Sequence, residues 1–144
     1  TNQAGIGRGI LGWPEFALVQ ERIIVELAAA GATFDAVYAC PHHAEGQPPY
    51  NHPDHPARKP NPGMLLRAVE ALALDAETSW IVGDRASDLE AGRAAGLAGG
   101  LHVLTGYGER PAERKAALAL ADGRFRAVGG ASIADVPVQI SQVA

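Results

Sequence analysis

The sequence contains a single cysteine, Cys40, among its 144 residues, so no disulfide bond can form within the chain. Basic residues are also few, with twelve Lys and Arg against sixteen Asp and Glu and a formal charge of -4. That balance lacks the positive excess typical of surfaces that bind nucleic acid or anionic membranes. Acidic residues and glycines interrupt every apolar run before it reaches the roughly 18 to 20 residues of a membrane span. We therefore expect no nucleic-acid or membrane partner, and the lone thiol favours the reducing cytoplasm.

The length and the hydrophobic content of 47% predict one domain over residues 1–144. Apolar residues recur at steps of three and four in four segments, which predicts helices over 14–30, 62–74, 87–95 and 111–121. Short apolar runs predict strands over 34–40, 79–82, 101–104 and 126–128, followed by a short terminal helix from Ser132. Alternation of strands with helices predicts an α/β fold, a Rossmann-like parallel sheet between helical layers.

The region from Pro41 to Pro62 holds seven of the ten prolines and four of the five histidines, so we expect an irregular loop insert over residues 41–60. Cys40, His42 and His55 supply the ligand types of a zinc site. The alternative is a loop stiffened by proline, whose histidines bind no metal.

Two carboxylates lie four residues apart in the segment from Gly83 to Asp88. Asp84 directly follows a predicted strand, and Asp88 lies in the first turn of the next predicted helix. A carboxylate at the end of a parallel strand suits Mg²⁺, which prefers oxygen ligands and retains water for a phosphorylated substrate. The alternative is that Asp84 only forms a turn and Asp88 only complements the helix dipole.

Two further segments are suited to binding an anion. Arg58 and Lys59 immediately precede the predicted helix over 62–74, whose first amide groups also favour negative charge. Their alternative role is a solvated basic loop. Residues 1–9, Thr-Asn-Gln-Ala-Gly-Ile-Gly-Arg-Gly, combine a hydroxyl, two side-chain amides and three glycines, which is a composition that can form a backbone nest for an oxyanion.

Four motifs follow one another in the chain: the segment at 1–9, Cys-Pro-His-His at 40–43, Arg-Lys-Pro-Asn-Pro-Gly-Met at 58–64, and Val-Gly-Asp at 82–84. In this order they resemble the haloacid-dehalogenase-like (HAD-like) phosphatases. The resemblance extends from residue 1 to about 108 and is strongest to the branch of the heptose 1,7-bisphosphate 7-phosphatases and histidinol phosphatases.

The resemblance implies a HAD-like core that hydrolyses a small phosphorylated sugar through an aspartyl-phosphate, with Mg²⁺ offsetting the charge on the transferred group. It also implies a monomeric enzyme. By motif position, the resemblance implies that Thr1 contacts the phosphoryl oxygens with support from Asn2, and that Lys59 neutralises the phosphate. It implies that Arg58 and Arg85 bind the sugar or a distal phosphate. It also implies that Asp84 holds Mg²⁺ and that Asp88 orients Asp84 and Lys59.

Two departures from the family pattern affect these expectations. The family's nucleophile and acid/base lie in an Asp-x-Asp motif on a first strand that precedes the Thr motif, and the printed sequence contains neither that motif nor that strand. We therefore expect the sequence to be truncated at its N-terminus and to be inactive as printed. Relatives that bind zinc carry Cys-x-Cys before Arg-Lys-Pro, where this chain has His55-Pro56-Ala57. Since Ala57 cannot bind a metal, the zinc site is incomplete.

Three alternatives remain open from the sequence. The chain could be a phospholigand-binding domain without catalytic activity, because the nucleophile motif is lacking in the printed residues. It could act on histidinol phosphate rather than on a heptose bisphosphate. It could also be a structural metal-binding module built around Cys40 and the neighbouring histidines.

Overall fold

The computed structural model describes residues 1–136. The chain divides into two compact units, Thr1–Arg58 and Lys59–Ala144. The single domain over residues 1–144 with a loop insert at 41–60 stays a prediction. Over the described range, no helix has both the length and the apolar character needed to cross a bilayer.

The first unit contains a short helix, α1 (Ala4–Gly7), and a long helix, α2 (Trp13–Ala29), which confirms the helix predicted over 14–30. The backbone N–H of Gly12 donates to Glu15 Oε2 at 2.8 Å, so a side chain satisfies one amide at the start of the helix. No residue of α2 is buried. Its exposed apolar side chains include Leu18, Val19, Ile23, Ile24 and Val25.

The strand predicted over 34–40 is largely absent. Only Cys40 forms a β-bridge, a parallel one with Asn2, and Phe34 and Val37 are 53% and 42% exposed. β-branched and aromatic residues indicate that a segment suits a pleated, half-buried surface, but a ladder also needs a neighbouring strand. Among the described residues, 34–37 have no such neighbour, so the prediction is wrong for this part of the segment.

The second unit is built on a parallel sheet of three strands, β1 (Trp80–Gly83), β2 (Gly99–His102) and β3 (Arg126–Gly129), in the order β1-β2-β3. Every residue of β2 is buried, as expected for the central strand. The strands predicted over 79–82, 101–104 and 126–128 are confirmed with ends shifted by one or two residues, and the α/β class is confirmed with them.

The helices of this unit are α3 (Gly63–Ala71), α4 (Ala86–Ala94) and α5 (Pro111–Leu118). Short 3₁₀ segments lie at Ala76–Thr78, Gly106–Glu109 and Ile133–Asp135. Where the sequence predicts a terminal helix from Ser132, the structure has the 3₁₀ segment at Ile133–Asp135; the part of that prediction beyond residue 136 lies outside the described residues. Helices α4 and α5 pack against the sheet and against each other.

The core of the second unit is a cluster of side chains between these helices and the sheet. Phe125 and Leu89 are its largest members, 2% and 0% exposed. Leu65 of α3 and Ile81 of β1 pack against it. This core holds β1 and α4 in fixed positions, and the segment that joins them carries the candidate carboxylates.

Candidate active site

Asp88 is held at the junction of β1 and α4. The backbone N–H of Arg85 donates to Asp88 Oδ2 at 3.1 Å, so this carboxylate satisfies a backbone amide at the N-terminus of α4. A Cβ atom on Gly83 would lie 2.3 Å from the Asp88 Cβ atom. Residue 83 is therefore restricted to glycine, since any side chain there would displace Asp88.

Lys59 and Asp88, two of the predicted site residues, form an ion pair between Lys59 Nζ and Asp88 Oδ1. Their side chains are only 21% and 8% exposed. A lysine just before a helix start is electrostatically unfavourable without a negative partner. Asp88 supplies that negative charge, although it lies 29 residues away in the sequence.

Asp84 follows β1 directly and is held by the 3₁₀ segment after β2. The backbone N–H of Tyr107 donates to Asp84 Oδ2 at 2.8 Å. The preceding residue, Gly106, has φ of +64°, and a Cβ atom there would lie 2.3 Å from Asp84 Oδ2. Glycine is required at position 106 both by its backbone conformation and by this contact.

The position of Asp84 fits one ligand of a magnesium ion. It presents carboxylate oxygens at the carboxyl end of a parallel strand and is only partly buried. Among residues 1–136 no group of three or more His, Cys, Asp and Glu side chains could hold a metal ion. Mg²⁺ commonly binds through only one or two carboxylates and completes its coordination with water and substrate phosphate.

Arg85, another predicted site residue, contacts an aromatic ring that the sequence analysis did not identify. Its Cζ atom lies 3.8 Å from the centroid of the Tyr107 ring, within the range of a cation–π interaction. The signal that could have found Tyr107 is its position between two glycines shortly after a buried strand, where loops of parallel sheets carry functional residues.

Thr1 and Asn2 belong to the first unit, where residues 1–3 run parallel to residues 38–40. The Thr1 carbonyl accepts a hydrogen bond from Cys40 N at 2.9 Å, and its amino group donates to the Tyr38 carbonyl at 2.7 Å. The Gln3 side chain donates to Thr1 Oγ1 at 3.3 Å. The backbone of this motif is therefore anchored, and its hydroxyl is oriented by a neighbouring amide.

Arg58 also lies in the first unit, together with His42, His52 and His55. Arg58 Nη1 donates to the carbonyl oxygen of His42 at 2.9 Å, which ties the guanidinium to the proline-rich loop. The rings of His42 and His55 stack with centroids 3.7 Å apart and an angle of 3° between their planes. His52 meets the His55 ring edge-on at 5.3 Å.

The three candidate zinc ligands, Cys40, His42 and His55, lie close together. Cys40 Sγ lies 3.9 Å from His55 Nδ1, and that nitrogen accepts a hydrogen bond from Ala57 N at 3.1 Å. Burial and the neighbouring His42 and His52 rings lower the pKa of His55. The described residues contain no group of three or more such side chains that could hold a metal ion, and zinc at Cys40, His42 and His55 stays a prediction.

The comparisons with known proteins agree with these motifs. Residues 56–123 match the Hydrolase_like family model, described as HAD-hydrolase-like. The chain is 52% identical over 100 residues to the D-glycero-beta-D-manno-heptose-1,7-bisphosphate 7-phosphatase of Mesorhizobium japonicum, covering 69% of this chain and 46% of that protein. The chain spans about half the length of the curated relatives it matches.

Two solved structures share the fold. A structure described as a HAD-like phosphatase from Mesorhizobium loti superposes with a TM-score of 0.82 at 39% identity, covering 98% of this chain and 62% of that one. The D,D-heptose 1,7-bisphosphate phosphatase of B. bronchiseptica, complexed with magnesium and phosphate, gives a TM-score of 0.76 at 29% identity, covering all of this chain and 73% of that one. In sequence and in fold the chain is therefore similar to HAD-like phosphatases.

Proposed function

We propose that this protein is a magnesium-dependent phosphatase that removes the 7-phosphate of a heptose 1,7-bisphosphate. The observation that carries the proposal is the Lys59–Asp88 ion pair, which holds an ammonium group in the same unit as Asp84 at the end of β1. The similarity to named heptose bisphosphate phosphatases supports the choice of substrate.

Each residue of the second unit has a separate task in this proposal. Lys59 supplies an ammonium group, a point charge suited to phosphate, which binds the phosphoryl oxygens. Asp88 orients the ammonium group. Asp84 contributes a carboxylate to Mg²⁺, which when bound offsets negative charge on the transferred phosphoryl group.

The residues of the first unit take their proposed roles from the family motifs. Thr1 hydrogen-bonds the phosphoryl oxygens with support from Asn2, and Arg58 binds the sugar or its distal phosphate. The anchoring of Thr1 by Cys40 N and of Arg58 by the His42 carbonyl supports these roles, because preorganised donors stabilise charge without having to be ordered during the reaction.

The remaining sequence predictions belong to the same proposal. We expect one domain over residues 1–144, a cytoplasmic monomer, and a small phosphorylated sugar as partner without nucleic acid or membrane. The formal charge of -4 and the single cysteine support this setting. Light scattering coupled to gel filtration tests the monomer, and a dimer mass would contradict it.

The test of function uses the complete product of the gene that encodes this chain, because the family's nucleophile lies in a motif not found in the printed residues. We expect Mg²⁺-dependent release of inorganic phosphate from heptose 1,7-bisphosphate. Asp84→Asn keeps an oxygen to accept the Tyr107 N–H but loses the anionic ligand. We expect it to lower kcat/KM by about 100-fold or more, as for loss of one preorganised electrostatic contact.

The matched control is Glu90→Gln, which removes the same charge from α4. Activity of Asp84→Asn equal to that of Glu90→Gln would contradict the proposal. Calorimetric binding of the bisphosphate without turnover by the parent would favour the phospholigand-binding alternative. Faster turnover of histidinol phosphate than of heptose 1,7-bisphosphate would favour the histidinol-phosphatase alternative.

A further inference from the structure

Glu113 of α5 contacts the start of α4. The backbone N–H of Ala86, the first residue of α4, donates to Glu113 Oε2 at 2.8 Å, across 27 residues of sequence. Ala86 is buried and Glu113 is partly buried, so water has limited access to this hydrogen bond. The first N–H groups of a helix have no partner within the helix itself. A carboxylate from another helix therefore satisfies one of them here.

The segment from Gly106 to Glu113 makes a second contact with the same junction of β1 and α4. The backbone N–H of Tyr107 donates to Asp84 Oδ2 at 2.8 Å, two residues before Ala86. The segment thus donates to the side chain of residue 84 and accepts from the backbone of residue 86. Two contacts at the two ends of a three-residue stretch fix both its position and its orientation.

The start of α4 also has a partner within its own first turn. Asp88 Oδ2 accepts from the backbone N–H of Arg85 at 3.1 Å, whereas Glu113 accepts from the next amide, that of Ala86. A negative charge near a helix N-terminus is favourable, so both carboxylates suit this place. They divide the task, since the local carboxylate holds residue 85 and the distant one ties residue 86 to α5.

We propose that Glu113 is a positioning residue that holds Asp84 in place for Mg²⁺. This inference rests on the proposed function, in which Asp84 is a ligand of Mg²⁺. Glu113 acts through the backbone of residues 84–86, because the hydrogen bond that it accepts from Ala86 N holds the far end of this stretch. Mg²⁺ demands near-ideal octahedral geometry, so a displaced ligand binds it less tightly. Replacing a residue that orients a metal ligand typically weakens metal affinity by about 10- to 100-fold.

The test measures the Kd for Mg²⁺ by calorimetric titration of the complete gene product with magnesium chloride alone. Glu113→Ala removes the acceptor, and we expect its Kd to rise about ten-fold. Glu113→Gln keeps a side-chain oxygen that can accept from Ala86 N, so its Kd should stay within about two-fold of the parental value. The matched control is Glu109→Ala, which removes an exposed carboxylate from the same segment and should leave the Kd at the parental level.

Two further measurements distinguish positioning from a purely structural role. In Glu113→Ala the amide hydrogen of residue 86 should exchange with solvent about ten-fold faster or more. At saturating Mg²⁺, KM for heptose 1,7-bisphosphate should be unchanged, while the Mg²⁺ concentration for half-maximal activity should rise in proportion to the Kd. A Glu113→Ala variant with a lower Tm and an unchanged Kd would overturn the proposal.

A third variant covers the case in which Glu113→Ala does not fold. Glu113→Asp keeps the charge but draws the carboxylate back by one methylene group, which lengthens the hydrogen bond from Ala86 N beyond good geometry. Its Kd for Mg²⁺ should be higher than that of Glu113→Gln. A Kd equal to the parental value in Glu113→Asp would refute the positioning role.

The outcomes distinguish this proposal from the proposed function. If the parent hydrolyses the bisphosphate and Glu113→Ala binds Mg²⁺ as tightly as Glu109→Ala, the phosphatase assignment stands and the role of Glu113 is wrong. If the parent binds Mg²⁺ without turnover, the proposed function fails, and the ratio of the two Kd values still decides the role of Glu113. A parent that binds no Mg²⁺ in the titration would overturn the positioning role directly.

Discussion

Replacing Asp88 by Asn tests the central contact of the candidate site. The carboxylate accepts from two donors, Lys59 Nζ at Oδ1 and Arg85 N at Oδ2. A carboxamide has one acceptor oxygen, so one of the two donors loses its partner and faces an NH₂ group. Because the Asp88 side chain is only 8% exposed, the loss of one charge-assisted hydrogen bond should cost about 1.5 to 3 kcal/mol of unfolding free energy.

Urea denaturation at pH 7 measures this free energy, and thermal unfolding should show a Tm lower by roughly 3 to 12 °C for a chain of this size. Glu90→Gln removes the same charge from α4 and should change the stability by no more than about 0.5 kcal/mol. The difference between the two variants should persist in 0.5 M salt, since a largely buried pair is poorly screened.

The reasoning fails if Asp88→Asn unfolds with the same free energy as Glu90→Gln. A double-mutant cycle with Lys59→Met strengthens the test. If the two side chains stabilise each other, the double variant should lose less stability than the sum of the single variants, with a coupling of about 0.5 to 3 kcal/mol. Additive losses would show that the ion pair contributes nothing of its own.

Three further predictions concern the second unit outside the candidate site. The backbone N–H groups of Arg124 and Phe125, with Arg93, lower the pKa of Asp122 from 3.8 to about 2, so the ionised carboxylate stabilises the fold above about pH 4 and loses this effect as the pH falls toward 2. Asp122→Asn should therefore be less stable than the parent at pH 7, and urea titrations should show this difference shrinking between pH 4 and pH 2. A difference that stays constant over this pH range would contradict the prediction. His102 is fully buried, and its two ring nitrogens have no hydrogen-bond partner among the described residues. Because His102→Leu removes two buried polar atoms that make no hydrogen bond there, it should raise the unfolding free energy by about 1 kcal/mol. A lower unfolding free energy would contradict this prediction. Phe125→Ala should cost about 3 to 5 kcal/mol through the cavity left in the core, measured by the same denaturation, whereas a loss below about 1 kcal/mol would place this ring outside the core.

The parts of the fold that the sequence predicted well are those where a local pattern and a tertiary neighbour agree. The apolar run before Gly83 forms β1 because β2 pairs with it in register, Val82 opposite Leu101. The run over 34–40 has an equally strong strand composition, yet its first residues have no ladder partner among residues 1–136. Composition reports how well a segment suits a sheet, and pairing depends on what lies beside it.

The site residues divide in the same way. Asp84, Asp88 and Lys59 were predicted from side-chain chemistry placed after a strand or before a helix. The role of Tyr107 could not be predicted in that way, because its hydrogen bond to Asp84 comes from the backbone N–H, which every residue except proline carries. The stack of His42 on His55 was likewise missed, since ring packing and metal binding require the same residue type.

Both carboxylates of the site are fixed by backbone N–H groups, Asp84 by Tyr107 and Asp88 by Arg85. An amide donor holds a carboxylate in place without adding a positive charge, so Asp84 keeps its position whether or not a cation is bound. The cost of ordering them is met during folding, through the packing of α4 on β1. Groups that are already in position can respond to charge developing on a ligand without reorganisation of the protein. Phosphoryl transfer requires this property.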